Sequence, residues 1–198
     1  MYKRQVEALN RNLDLQIDDF ATFNWKAVVD AVNILGGVDV ELSKAEFYYI
    51  NAYITETVEA TGVGSYQLKQ AGPNHLDGVQ AVAYARLRKM DTDFARTERQ
   101  REIIDLCFQK LKKSDFAVVN NVMEAVFPQI LSSVTIDDII PAARNLTKYT
   151  IADTMGFPAA RSDANMGKKG ACVIPQTLES NVTPVSYTHL TLPTNSRV

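Results

Sequence analysis

The chain has 198 residues, 46% of them apolar and 22% charged, with a formal net charge of −2. That length and balance describe a globular chain with a real core and exclude a low-complexity or collagen-like polymer. They also exclude a protein that coats nucleic acid by bulk charge. With two cysteines (Cys107 and Cys172, far apart and with no CxxC) and two histidines (His75 and His189), at most one disulfide is possible, a cysteine-rich zinc site is excluded and a His-based metal centre is not expected.

In chain order, Val6, Leu9 and Leu13 recur at helical spacing, and Ile17 to Phe23 reads as a short strand. Asn24 is placed to cap a helix with the stripe Val28, Ala31, Val32 and Leu35, which Gly36-Gly37 ends. Val38, Val40 and Leu42 alternate with Asp39 and Glu41, a period-two strand. Ser43 and Glu46 make a capping box for a helix carrying Phe47, Ile50, Ile54 and Val58 on one face. Thr61 to Asn74 reads as loop, with a short strand expected at Tyr66 to Leu68.

Asp77 and Gln80 cap a short helix, Gly78 to Ala85, and a long helix is expected from Asp93 to Lys112. Phe116 to Phe127 forms another helix, disturbed at its end by Pro128. Thr135 with Asp138 opens a last helix toward Lys148, and Cys172 to Ile174 reads as an edge strand. There is no internal repeat and no linker, so the pattern predicts one α/β unit, helix-rich in its second half.

The chemistry concentrates between Arg86 and Arg101, where six basic and three acidic residues give a local charge of +3. Arg96, Gln100, Ile103, Cys107 and Leu111 share one helical stripe whose far end is apolar. Its near end therefore predicts Arg96 and Gln100 facing inward, with Arg99 at the edge of that face. Arginine forks match phosphate oxygens bidentately, and a helix N-terminus adds donors and a positive dipole end. The alternative is a solvated charged face with i,i+4 pairing. Both readings stand on these residues alone. Asp14, Asp18 and Asp19 lack calcium-loop spacing and read as solvated turn residues. His75 has no acid or nucleophile at a recognisable spacing and reads as structural or exposed. The apolar stripes read as core rather than as a lipid pocket.

LDGVQAVAYARLRKMDTDFARTERQREII (Leu76 to Ile104) resembles the signature region of the LytR-CpsA-Psr family of cell-envelope proteins. So do NWKAVVDAVNILGGVDVEL (Asn24 to Leu42), Ile50 to Thr57, MGFP (Met155 to Pro158) and VIPQTLESNV (Val173 to Val182). The resemblance implies an α/β fold with a central mixed β-sheet flanked by helices. It implies a phosphotransferase that moves glycopolymers from a polyprenyl-pyrophosphate carrier to peptidoglycan or another envelope acceptor, with Mg²⁺. It places the protein on the extracytoplasmic face of the bacterial cell membrane, in contact with the membrane through the lipid carrier.

By position, Arg86, Arg88, Asp93 and Arg96 are the catalytic candidates, and Arg86, Arg88, Arg96, Arg99 and Gln100 the substrate-binding ones. The family's acidic Mg²⁺ ligands and a membrane-anchoring helix are expected upstream of this segment. Two other functions compete: a module that binds polyprenyl phosphates without transfer, and a cell-envelope transcriptional attenuator. The acidic balance counts against the nucleic-acid binding that the second requires. The termini are read separately. MYKRQ (residues 1–5) and VSYTHLTLPT (Val185 to Thr194) resemble translated sequencing-adapter ends, which would make residues 6–184 the family domain, 185–198 an adapter-derived tail and His189 foreign to it.

Overall fold

The structure, a computed structural model, describes residues 2–89, 93–151, 154, 158–177 and 179–183. The chain divides into two compact units, one made of residues 1–20 with 155–198 and the other of Ala21–Thr154. The expected adapter-derived tail, His189 and most of the MGFP motif lie outside the described residues.

In the first unit, helix α1 (Tyr2–Leu13) ends where Asp14 takes a positive φ of 51°. Asn10 then accepts from Ile17 N–H at 3.1 Å. Asp14, Asp18 and Asp19 are exposed, as expected of turn residues. The strand expected from Ile17 is confined to β1 (Ala21–Phe23), which opens the second unit.

Helix α2 (Trp25–Ile34) is capped by Asn24, whose side chain accepts from Ala27 N–H at 2.8 Å. It buries Ala27, Val29 and Val32, so its inward face is rotated slightly from the expected stripe. Gly36 and Gly37 turn the chain at φ of 75° and 78°. A Cβ on Gly37 would sit 2.6 Å from the Leu76 carbonyl oxygen, so only glycine fits that turn. Strand β2 (Val38–Leu42) buries Val38, Val40 and Leu42 and exposes Asp39 and Glu41. Helix α3 (Lys44–Thr61) begins in the Ser43/Glu46 capping box and ends at Gly62.

The expected strand at Tyr66 to Leu68 does not form. The Asn51 amide accepts from Leu68 N–H at 2.9 Å and donates to Leu68 O at 3.1 Å, and Gln80 Nε2 donates to Tyr66 O. Side chains thus take the backbone groups that a strand ladder would need. The strand comes later, as β3 (Gly72–Leu76), antiparallel to β2 with Val38 opposite Leu76 and Leu42 opposite Gly72.

Helix α4 (Gly78–Arg86) starts in a second capping box, Asp77 with Gln80, and buries every residue from Gly78 to Tyr84. Its start abuts α2, since a Cβ on Gly78 would strike the Val29 backbone, while Gly78 N–H donates to Asn33 Oδ1 at 2.7 Å. Helix α5 (Asp93–Lys113) follows, then α6 (Phe116–Val126) and a 3₁₀ turn, Phe127–Gln129, at Pro128. Strand β4 (Ile130–Ser132) pairs antiparallel with β1. Helix α7 (Ile136–Arg144) stops before Lys148, and a 3₁₀ turn, Leu146–Lys148, continues it; Asn145 donates its side-chain amide to Pro141 O.

Back in the first unit, β5 (Arg161–Asn165) and β6 (Ala171–Pro175) pair antiparallel, two strands where the sequence pattern suggested one. Buried Asn181 accepts from Ala160 N–H and donates to Ala160 O, both at 2.9 Å.

The α/β class is as expected, but the sheet is not a single mixed one. The described strands form three separate antiparallel pairs. β2 lies against α3 and α5, and among the described strands it pairs with β3, reached through α3 and a loop. The core of the second unit is built around the buried face of β2, from Val29, Val32, Val38, Leu42, Ile50, Ile54, Leu76, Val79, Leu87 and Ile103.

Candidate active site

The α4–α5 junction carries the basic segment, and three features fix it. Leu87, the last core side chain of α4's end, is fully buried. Arg99 Nη2 donates to Leu87 O at 3.0 Å, and Gln100 Nε2 to Ala85 O at 3.3 Å. Carbonyls at a helix C-terminus lack intrahelical donors and carry the negative dipole end. The first turns of α5 supply a cation and an amide to them.

This corrects the expected orientation of α5. Arg99, expected at the edge, is 5% exposed and faces inward with Ile103, whereas Gln100, expected inward, is exposed. Arg96 is half-buried. Arg99 also meets Glu46, Nη1 to Oε1 at 3.4 Å, with side chains 6% and 13% exposed. The other oxygen of Glu46 accepts from Ser43 N–H at 2.9 Å, so one carboxylate closes the cap of α3 and holds the α5 arginine. The Arg99 guanidinium lies 6.0 Å from the Tyr84 ring centroid, and the Tyr84 hydroxyl donates to Glu102 at 2.7 Å. Burial, then the bond to Glu102, push that hydroxyl well above the usual tyrosine range.

Arg86 is the last residue of α4 and leans toward α2 and α3. Its Nη1 donates to Thr57 Oγ1 at 2.7 Å and its Nη2 reaches Glu56 Oε2 at 3.3 Å. The guanidinium carbon stands 3.8 Å from the Trp25 ring centroid and 5.8 Å from that of Tyr53. Arg88 is exposed two residues on. The side chain of Asp93, at the start of α5, lies outside the described residues, as does Asp91. Trp25, Glu46, Glu56, Thr57, Tyr84 and Glu102 escaped the sequence reading. The capping-box position of Glu46 was visible, but its second role depends on Arg99, far along the chain.

Elsewhere in this unit the described residues also line an apolar cavity and a polar cleft. The apolar cavity, of about 480 Å³ between α6 and α7, is lined by Phe116, Met123, Phe127, Pro128 and Ile140, with Arg144 at its edge. The polar cleft, of about 380 Å³, is bordered by Asp39, Glu41, His75 and Glu102. There His75 Nδ1 lies 2.7 Å from Asp39 Oδ1, across the β2–β3 pair. That bond holds the Asp39 carboxyl below its ordinary range. His75 is thus exposed, as expected, with an acid partner that sequence spacing did not show. Both cysteines are free thiols, and burial pushes the Cys107 thiol up. Among the described residues, no group of three or more His, Cys, Asp or Glu side chains is arranged to hold a metal ion.

The bonds at the α4–α5 junction define an α/β unit in which the carbonyls at the end of α4 are held by an arginine and a glutamine from the start of α5. The chain belongs to the LytR_cpsA_psr family, whose pattern matches residues 2–169. It is 26% identical over 165 residues to the polyisoprenyl-teichoic acid–peptidoglycan teichoic acid transferase TagV of Bacillus subtilis, covering 82% of this chain and 40% of that protein. It is 27% identical over 136 residues to the B. subtilis transferase TagT, covering 68% of this chain and 40% of TagT. The chain thus spans about two fifths of the length of these curated relatives. The fold is similar to that of a solved structure of TagT bound to LIIa-WTA, with a TM-score of 0.65 at 22% identity, over 92% of this chain and 64% of that one.

Proposed function

We propose that this chain carries the pyrophosphate-gripping face of a phosphotransferase that moves a glycopolymer from a polyprenyl-pyrophosphate carrier to peptidoglycan or another envelope acceptor. The site of action is the cell envelope, on the outer side of the membrane. Relatives named as teichoic acid transferases support the reaction class. The observation that carries the reading is the division of labour at the α4–α5 junction. Arg99 and Gln100 are spent on the carbonyls of Leu87 and Ala85. Arg86, Arg88 and Arg96 stand nearer the surface, on a segment whose backbone those bonds hold in place.

Phosphoryl transfer demands positioned positive charge more than covalent chemistry from the protein. In this reading Arg86, Arg88 and Arg96 hold the phosphate oxygens as negative charge grows on the bridging oxygen that leaves. Arg99 and Gln100, expected to bind substrate, serve as positioning residues. Asp93 is assigned to orient these arginines. Among the described residues no group of three or more His, Cys, Asp or Glu side chains is arranged to hold Mg²⁺ by itself, and the roles assigned to the arginines do not depend on the ion. Among the described residues no helix is long and apolar enough to cross a membrane, and membrane contact is assigned to the carrier lipid.

The test is a titration of the chain with geranyl pyrophosphate, a short water-soluble prenyl pyrophosphate. Charge-assisted bonds contribute about 1.5–3 kcal/mol each, so Arg88→Ala weakens binding about ten-fold or more. Equal affinity of variant and parent sinks the assignment.

A further inference from the structure

Arg86 has partners of two kinds. Thr57 is fully buried, and its hydroxyl donates to Tyr53 O at 2.7 Å, which aims a lone pair at Arg86 Nη1. Trp25 covers the guanidinium face at 3.8 Å. Stacking of that kind fixes the plane of an arginine while leaving its edge donors available. Both contacts therefore aim the side chain. The third differs. Glu56 lies 3.3 Å from Nη2, longer than a well-formed charge-assisted bond, and its side chain is 53% exposed. Such an exposed pair is weak and readily exchanged.

We propose that Trp25 is a positioning residue for Arg86, and that Glu56 is a built-in counter-anion which the incoming phosphate displaces. The proposal rests on the reading that Arg86 faces a pyrophosphate. Glu56 occupies the donor that a phosphate oxygen would take, so a ligand must out-compete a tethered carboxylate. A singly charged anion gains little from that exchange. A pyrophosphate, with more charge and several oxygens in reach, gains enough to win, so Glu56 makes the site selective for multiply charged phosphates. Trp25 is the chain's single tryptophan and is 46% exposed, so its emission reports directly on the group stacked against it.

The experiment titrates the full chain with inorganic pyrophosphate, followed by tryptophan emission and by calorimetry. Pyrophosphate is expected to change Trp25 emission saturably, and Arg86→Ala to abolish the change. Glu56→Gln is expected to tighten binding about two- to five-fold, the range an exposed ion pair supplies. Trp25→Phe should keep affinity within about two-fold, while Trp25→Leu weakens it about five-fold. Binding no tighter in Glu56→Gln, or equal in Trp25→Leu and Trp25→Phe, overturns the inference alone. Absence of pyrophosphate binding, or binding that Arg86→Ala leaves intact, overturns the site reading and the inference with it.

Discussion

Arg99 and Arg88 show how two arginines of one basic segment can have opposite duties. Arg99 is almost completely buried, and its guanidinium serves a carbonyl and a carboxylate that are themselves shielded. Removing one partner of a buried charge pair leaves the other desolvated and uncompensated, at a cost of about 3 kcal/mol or more. Arg99→Met should therefore lower the thermal midpoint by roughly ten degrees, on the usual scale of a few degrees per kcal/mol for a chain of this size. Arg88→Ala, at an exposed position, should leave it nearly unchanged. Calorimetry of the two variants checks this, and equal midpoints would refute it. The sequence marked the extent of α5 but misjudged its phase. Ile103 lies on both candidate stripes, four residues after Arg99 and three after Gln100, so apolar spacing alone leaves the choice open. Glu46 and Leu87 O decide it, and neither is near Arg99 in sequence.

The elements announced by local chemistry formed where their signals stood. Three capping boxes (Ser43 with Glu46, Asp77 with Gln80, Thr135 with Asp138) all close as the spacing predicts, because each needs only a side chain and a backbone group three residues apart. The misplaced strand had the opposite cause. Tyr66 to Leu68 has strand-like residues, but Asn51, from the helix before, satisfies its backbone with two bonds to Leu68. Asn51→Leu removes both while leaving the segment partly buried, and an unsatisfied buried backbone group costs about 1–3 kcal/mol. Faster hydrogen exchange at the Leu68 amide, with a loss of stability in that range, is the expected outcome. Unchanged exchange at Leu68 would show that something other than Asn51 holds the loop.

For the whole molecule, the position of the core makes the strongest demand. Every residue of the main apolar cluster falls between Val29 and Ile103, and the partly buried side chains packed against it run only from Val28 to Cys107. The basic junction is built on the same foundation, since Leu87 and Ile103 belong to that cluster and Arg86, Arg99 and Gln100 bond to α3, α4 and the junction itself. The second unit, Ala21–Thr154, thus contains the core, the capping boxes and the proposed phosphate-facing arginines together. Its length lies within the range in which a single core supports a domain. A chain restricted to Ala21–Thr154 should consequently unfold in one cooperative transition, with a midpoint within a few degrees of the main transition of the full chain. Its affinity for geranyl pyrophosphate should stay within about two-fold, because each phosphate contact assigned here comes from Arg86, Arg88 or Arg96. Circular dichroism melts and calorimetric titration measure the two quantities separately. A broad, non-cooperative melt would show that residues 1–20 or 155–198 complete the core. A cooperative melt with lost affinity would place part of the phosphate site in those segments instead.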